Sequence, residues 1–145
     1  MILPDVNILI YAFRQDATHH ALCNSWLTEI VAGDALFGLS PLTLSALIRI
    51  TTNTRSYRNP SSLAEAFTFC DYLTDQPNCR IVKPGEMHWD IFKRLCLGTD
   101  TRGPRVTDAW FAALAIESGC EWVTMDRDYA RFPGLKWNVP PSERT

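Results

Sequence analysis

Met1-Ile2-Leu3-Pro4-Asp5-Val6-Asn7, at the amino end of this 145-residue chain, decides how the rest is read. An apolar run of strand length gives out in a carboxylate, and the apolar pattern resumes as Ile8-Leu9-Ile10-Tyr11-Ala12-Phe13, dense enough for a buried helix. Strand, acid, helix is the order by which an open α/β sheet sets a polar group at the carboxyl edge of a strand, where such sheets bind ligands. Asp5 is the anchor, and the question becomes whether other strands deliver acids to the same edge.

Working outward, Ala21, Leu22, Ser25, Trp26, Ile30 and Val31 recur at helical spacing, which predicts a helix from about Asp16 to Ala32, stopped by Gly33. Leu36 to Ser40 suits a short buried strand. Pro41 then opens a mostly apolar helix to about Asn53, because its missing N–H is not needed in a first turn. Ser62 with Glu65 three residues on has the capping-box offset, for a helix to about Leu73. Cys79 to Val82 reads as a weak strand, and Glu86 to Leu97 as a helix ending at Gly98. Thr107 is a candidate cap for the Ala-rich segment that Gly119 stops. Glu121 to Met125 is a further strand, again followed by an acid, Asp126, and Leu135 to Val139 is a possible edge strand. Strands alternating with helices imply crossovers and a mainly parallel central sheet with helices on both faces, an α/β architecture in a single domain spanning 1–145.

Composition narrows the class. With 46% hydrophobic and 21% charged residues the chain can bury a sizeable core, and a net charge of −2 argues against a strongly cationic coat while leaving room for a local basic face. The five cysteines, Cys23, Cys70, Cys79, Cys96 and Cys120, are scattered and never form a Cys-x-x-Cys pair, so they read as reduced thiols of a cytoplasmic protein. No apolar run approaches the roughly 20 residues of a membrane span.

Asp5 and Asp126 each follow a strand, and Asp108 lies at the start of the Ala-rich helix; a parallel sheet brings such positions to one edge. Three neighbouring carboxylates repel, and they persist at neutral pH only if some are protonated or a cation sits among them. Oxygen-only ligands favour Mg²⁺ or Mn²⁺ over zinc. The expectation is a hard divalent metal on these acids that activates a water against a phosphodiester. Each acid alone also fits a turn or helix cap. Asp128 is either a further metal-side acid or a solvated acid at a helix start, and Asn7 is read as a helix cap in preference to a site amide. Arg55, Tyr57 and Arg58 interleave cations with an aromatic, and Arg102 and Arg105 flank the loop before Asp108; such Arg can neutralise phosphates and Tyr57 can stack on an unpaired base, or these are ordinary loop charges. His19, His20 and His88 have no catalytic task in this scheme.

These residues resemble a known family. Met-Ile-Leu-Pro-Asp-Val-Asn at the start, Thr-Asp-Ala-Trp-Phe-Ala-Ala-Leu-Ala at 107–115 and Thr-Met-Asp-Arg-Asp-Tyr-Ala-Arg-Phe at 124–132 look like the three acidic motifs of PIN-domain ribonucleases, especially VapC toxins of toxin-antitoxin pairs. The resemblance implies a three-layer α/β/α sandwich and a Mg²⁺- or Mn²⁺-dependent endoribonuclease with Asp5, Asp108 and Asp126 as the motif acids. It also implies a cognate VapB-like antitoxin, usually a homodimer, and an RNA substrate, transfer RNA among the candidates. The chain departs from the pattern once. VapC-like chains commonly carry a Glu three residues before an Arg on the helix after the second strand, and here Ala46, beside Ser45, precedes Arg49. One ligand fewer should weaken metal binding and shift it onto Asp5 and Asp126, with Asp128 or Glu117 as substitutes, although Glu117 lies more than two helical turns beyond Asp108. The alternative is a catalytically weakened PIN-like module acting through antitoxin or RNA binding. A phosphoacceptor domain is disfavoured, since it needs Asp-x-Asp where this chain has Asp5-Val6-Asn7. The aromatics of 61–73 and 86–97, Phe67, Phe69, Tyr72, Trp89 and Phe92, are core or a groove for an antitoxin helix.

Overall fold

Ile2–Pro4 forms the central strand, β1, of a five-stranded, wholly parallel sheet, and its alternation decides both faces. Leu3 is fully buried toward one helical layer and Ile2 packs into the other. The structure, a computed structural model, describes residues 1–142. The other strands are β2 (Phe37–Leu39), β3 (Cys79–Ile81), β4 (Glu121–Val123) and β5 (Trp137–Asn138), in the spatial order β3-β2-β1-β4-β5.

From β1 the chain passes through α1 (Val6–Phe13) and α2 (His20–Ala32) to β2, then through α3 (Pro41–Thr51) and α4 (Leu63–Thr74) to β3 at one edge. It then returns through α5 (His88–Thr99) and α6 (Arg105–Ser118) to β4 on the far side of β1. Right-handed crossovers running in opposite directions put their helices on opposite faces, which yields the three layers. Ile8, Leu9, Leu27, Phe37, Leu39, Leu47 and Leu73 pack on the α1–α4 side; Leu3, Leu95, Phe111, Leu114, Trp122 and Phe132 pack on the α5–α6 side. Gly38 is required where those layers press on the sheet, since a Cβ there would stand 2.7 Å from the Val82 side chain and 3.3 Å from Leu3.

Ser40 caps α3 through Leu42 N–H, and Ser62 with Glu65 forms the complete capping box of α4, as the sequence predicts. Four local expectations are corrected. α2 begins at His20, not near Asp16, because Arg14 leaves α1 extended and grips Asp16 while residues 15–19 turn. α5 runs through Gly98 to Thr99 and stops at Asp100, whose φ of 50° is a left-handed conformation that Asp tolerates. α6 starts at Arg105, launched by Gly103 (φ 59°) and Pro104, so Thr107 lies inside the first turn and caps nothing. Asn7, expected as a cap, is a residue of α1 itself and its amide reaches across to β4. Among the described residues no helix is long and apolar enough to cross a membrane, and all five cysteines are free.

Candidate active site

The strand order reverses its direction of growth between β1 and β4, and the crevice outside the carboxyl ends at such a switch point is where open α/β sheets take ligands. Asp5 follows β1 there, its N–H bonded to Val123 O at 2.8 Å, and Thr124 to Asp126 follow β4. α6 runs back from the same edge and carries Asp108 in its first turn.

Asp5 is 6% exposed. Its Oδ2 accepts from the Thr124 hydroxyl at 2.7 Å and from Asn7 Nδ2 at 3.3 Å. Thr124 Oγ1 in turn accepts from Asn7 Nδ2 at 3.2 Å and from Asp126 N–H at 2.9 Å, and Asn7 Oδ1 accepts from Met125 N–H at 3.3 Å. One hydroxyl thus ties the two strand-end acids into a single unit. Burial pushes the Asp5 carboxyl up from 3.8 to about 6, opposed by the Thr124 and Val6 hydrogen bonds and reinforced by the charges of Asp108 and Asp126.

Asp126 caps the 3-10 helix Arg127–Arg131, its Oδ1 accepting from Asp128 N–H at 2.9 Å. That short helix presents Tyr129 and Arg131 to Asp108: the phenol donates to Oδ1 at 3.2 Å and the guanidinium to Oδ2 at 3.3 Å. Burial, then the nearby acids, drive the Tyr129 phenol far above its ordinary value, so it stays a proton donor.

The sequence-predicted residues divide accordingly. Asp5, Asp108 and Asp126 share the crevice, close enough that both neighbours raise the Asp5 carboxyl. Asp128 is exposed and pairs with Arg105 at 3.3 Å. Glu117 is not near the acids: it lies at the far end of α6 and accepts from Gly85 N–H at 2.7 Å and Met87 N–H at 2.9 Å, which anchors the approach to α5. Ala46 sits half-buried in the middle of α3. Arg102 pairs with Asp100 at 3.1 Å, and Arg55 and Arg58 are exposed without a side-chain partner among the described residues. Tyr57 lies half-buried beneath the Arg14 guanidinium, 4.1 Å from its ring centroid. Two histidines hold backbone carbonyls, His20 that of Tyr11 at 2.8 Å and His88 that of Trp110 at 2.9 Å.

Sequence reasoning missed Thr124, the cross-strand role of Asn7, and the Tyr129–Arg131 pair on Asp108. A Thr two residues before the second strand-end acid was the available signal for the first.

The donor chemistry fits a hard divalent cation. The donors are oxygens, the buried carboxyl is pushed up by burial and two neighbouring negative charges, and among the described residues no Lys, Arg or His pairs with Asp5 or Asp126. The side chains do not stand gathered for one: among the described residues no three of the His, Cys, Asp and Glu groups are close enough to hold an ion together, and Asp108 is turned to Arg131.

A family model described as PIN domain matches residues 2–135. Over its whole length the chain is 36% identical to VapC ribonuclease Mb2897 of Mycobacterium bovis, covering 99% of that protein. It is also 36% identical to ribonuclease VapC25 of Mycobacterium tuberculosis across 97% of this chain and 99% of the relative. In fold it is similar to VapBC-1 from nontypeable Haemophilus influenzae (TM-score 0.68, 18% identity, 96% of this chain and 98% of that one). It resembles equally VapBC2 from Rickettsia felis bound to a promoter DNA fragment (TM-score 0.67, 16% identity, with the same coverage). The family match takes in all three acids of the crevice, from Asp5 to Asp126, and the chain belongs to the PIN domain family.

Proposed function

We propose that this chain is a VapC-type ribonuclease that cleaves RNA phosphodiesters with Mg²⁺ or Mn²⁺ held by Asp5, Asp126 and Asp108. The observation that carries the reading is the Asp5 carboxyl: buried at the switch point, raised to about 6, flanked by two further acids and paired with no cation among the described residues. Whole-length identity of 36% to proteins named ribonucleases supports catalysis over a module that only binds. When bound, such an ion supplies Lewis acidity for a water nucleophile and offsets the charge of the phosphodiester. The protein's part is positional. Thr124 and Asn7 fix Asp5 and Asp126 relative to each other, Tyr129 orients Asp108, Arg131 pairs with Asp108 in competition with the ion, and Arg105 stands at the rim beside Asp128. Arg55, Tyr57, Arg58 and Arg102 are proposed contacts to the RNA strand, with transfer RNA a candidate substrate.

Neighbours in fold are named as VapBC assemblies, which supports a VapB-like antitoxin as partner. The apolar depression of about 690 Å³ between α1, α2 and α4, where Phe13, Leu27, Val31, Phe69 and Tyr72 meet, suits the apolar face of a partner helix. Homodimerisation, a cytoplasmic setting for the five free thiols, and a single domain across the whole chain complete the proposal. Incubation of the purified protein with structured RNA and Mn²⁺ tests it: cleavage is expected and must fall steeply in Asp5→Asn. Intact RNA with the native chain, or undiminished cleavage by the variant, sinks the reading.

A further inference from the structure

We propose that the depression between the end of α1, the turn before α2 and the loop after α3 is a pocket for one unpaired nucleobase of the RNA strand, an inference resting on the ribonuclease function proposed above. Tyr11, Asp16, Ala17, Thr18, His19 and Tyr57 line it, and this open depression of about 420 Å³ has room for a base with its sugar. Three of those six side chains are rings. Tyr11 and His19 lie 5.6 Å apart with planes tilted by 52°, so the walls offer flat π surfaces in more than one orientation.

The pocket is held ready by Arg14, which does not itself line it. Arg14 is 9% exposed and makes four hydrogen bonds: bidentate to Asp16 at 2.6 and 2.9 Å, to Asn59 O at 2.8 Å and to Ser61 Oγ at 3.1 Å, with its guanidinium 4.1 Å from the Tyr57 ring centroid. These bonds pin the 53–61 loop to the end of α1 and set Tyr57 before any ligand arrives, so little ordering cost falls on binding. They also choose the ligand. An aromatic pocket with an acid in its wall would ordinarily suit an organic cation, but the Asp16 carboxylate is neutralised by Arg14. Cations stand nearby in the chain instead: Arg55 and Arg58, two residues before and one after Tyr57 on the same loop, are exposed and without a side-chain partner among the described residues, although neither lines the pocket. Rings for stacking with unpaired guanidinium groups alongside are what a single-stranded nucleic acid needs: a surface for the base and counter-charges for the phosphates on either side.

A trinucleotide with deoxyribose at every position and 2-aminopurine at its centre reads stacking without cleavage, titrated with the full chain in EDTA. Quenching of its fluorescence is expected. Tyr57→Phe should bind within about twofold of the native chain, while Tyr57→Leu should weaken binding about tenfold. The Arg55→Gln/Arg58→Gln double variant should flatten the salt dependence by about 1.4 in the logarithmic slope, about 0.7 for each phosphate deprived of its guanidinium. His19→Ala, at an exposed position, is the second variant should Tyr57→Leu melt early, and it too should weaken binding. Absence of quenching by the native chain, or native affinity in both Tyr57→Leu and His19→Ala, overturns the pocket. Cleavage of RNA by a chain that does not quench removes the pocket and leaves the ribonuclease reading standing. Quenching without cleavage under any metal does the reverse.

Discussion

Asp108 and Glu117 stand on the same helix, nine residues and about 14 Å apart along its axis, and their surroundings give them opposite employment. At the amino end, Asp108 faces a crevice with two other acids and is held by Tyr129 and Arg131, side chains of the neighbouring 3-10 helix. At the carboxyl end, Glu117 spends both oxygens on the backbone N–H groups of Gly85 and Met87. Gly85 has no side chain to obstruct it: a Cβ there would meet Glu117 Oε2 at 2.9 Å. One carboxylate closes a gap in the backbone hydrogen bonding and serves the fold. The other sits where negative charge accumulates, beside Asp5, at the site for which the nuclease chemistry is proposed.

That contrast breaks down if variants at the two ends behave alike. The largest separation is expected at the acid cluster. Asp5→Asn should lower cleavage by at least about a hundredfold and yet raise stability at neutral pH. The Asp5 carboxyl titrates at about 6 in the folded chain against an ordinary 3.8. The folded state therefore holds that proton more tightly than the unfolded one, and stability falls as pH climbs from about 4 to 6 and is level above. The rise corresponds to about 3 kcal/mol, so relief of about 1 to 3 kcal/mol is expected once lost hydrogen-bond strength is set against it. Thermal melts of the two proteins at pH 7 measure it, and a variant less stable than the native chain would contradict the burial cost assigned to the Asp5 carboxylate.

At the other end, Glu117→Ala should cost about 0.5 to 1.5 kcal/mol, because the exposed N–H groups of Gly85 and Met87 exchange a carboxylate for water, and should leave cleavage per folded molecule unchanged. Denaturant titration alongside an RNA assay checks both halves, and a selective loss of activity would erase the distinction between the ends. Arg131→Gln sharpens it further. Freeing Asp108 from a partly buried guanidinium should tighten Mn²⁺ binding about two- to fivefold in calorimetry, the value of such an ion pair. Weaker binding would mean that the guanidinium orients Asp108 for the ion in place of competing with it. The smallest effect belongs to Asp128→Asn. Its pair with Arg105 is more than half exposed on both sides, and stability should move by less than about 0.5 kcal/mol with Mn²⁺ affinity unaltered. A clear loss of affinity in the same titration would give Asp128 a place on the ion.

Local pattern carried much of this molecule. Ser62 and Glu65 announce their capping box three residues apart, and Pro41 announces the start of α3, because both depend on neighbours along the chain. The failures were also local in origin. Thr107 has the composition of a cap, but Gly103 and Pro104 start the helix first, and Gly98 continues a helix because its freedom is permission to turn and not an obligation. Asn7 departs from its expected cap role for a different reason. Its partners Thr124 and Met125 lie more than 110 residues away in sequence, beyond anything spacing can report.

The sequence by itself determined that strands are followed by Asp5 and Asp126, that helices separate those strands, and hence that the sheet is parallel with acids at one edge. Only the tertiary structure decided that β4 docks against β1, so that the switch point falls between the two acids and the Thr124 hydroxyl joins them. Periodicity records which residues seek the interior. The side on which a returning strand adds, and the partner each buried carboxylate meets there, are set by packing two helical layers on opposite faces of the sheet.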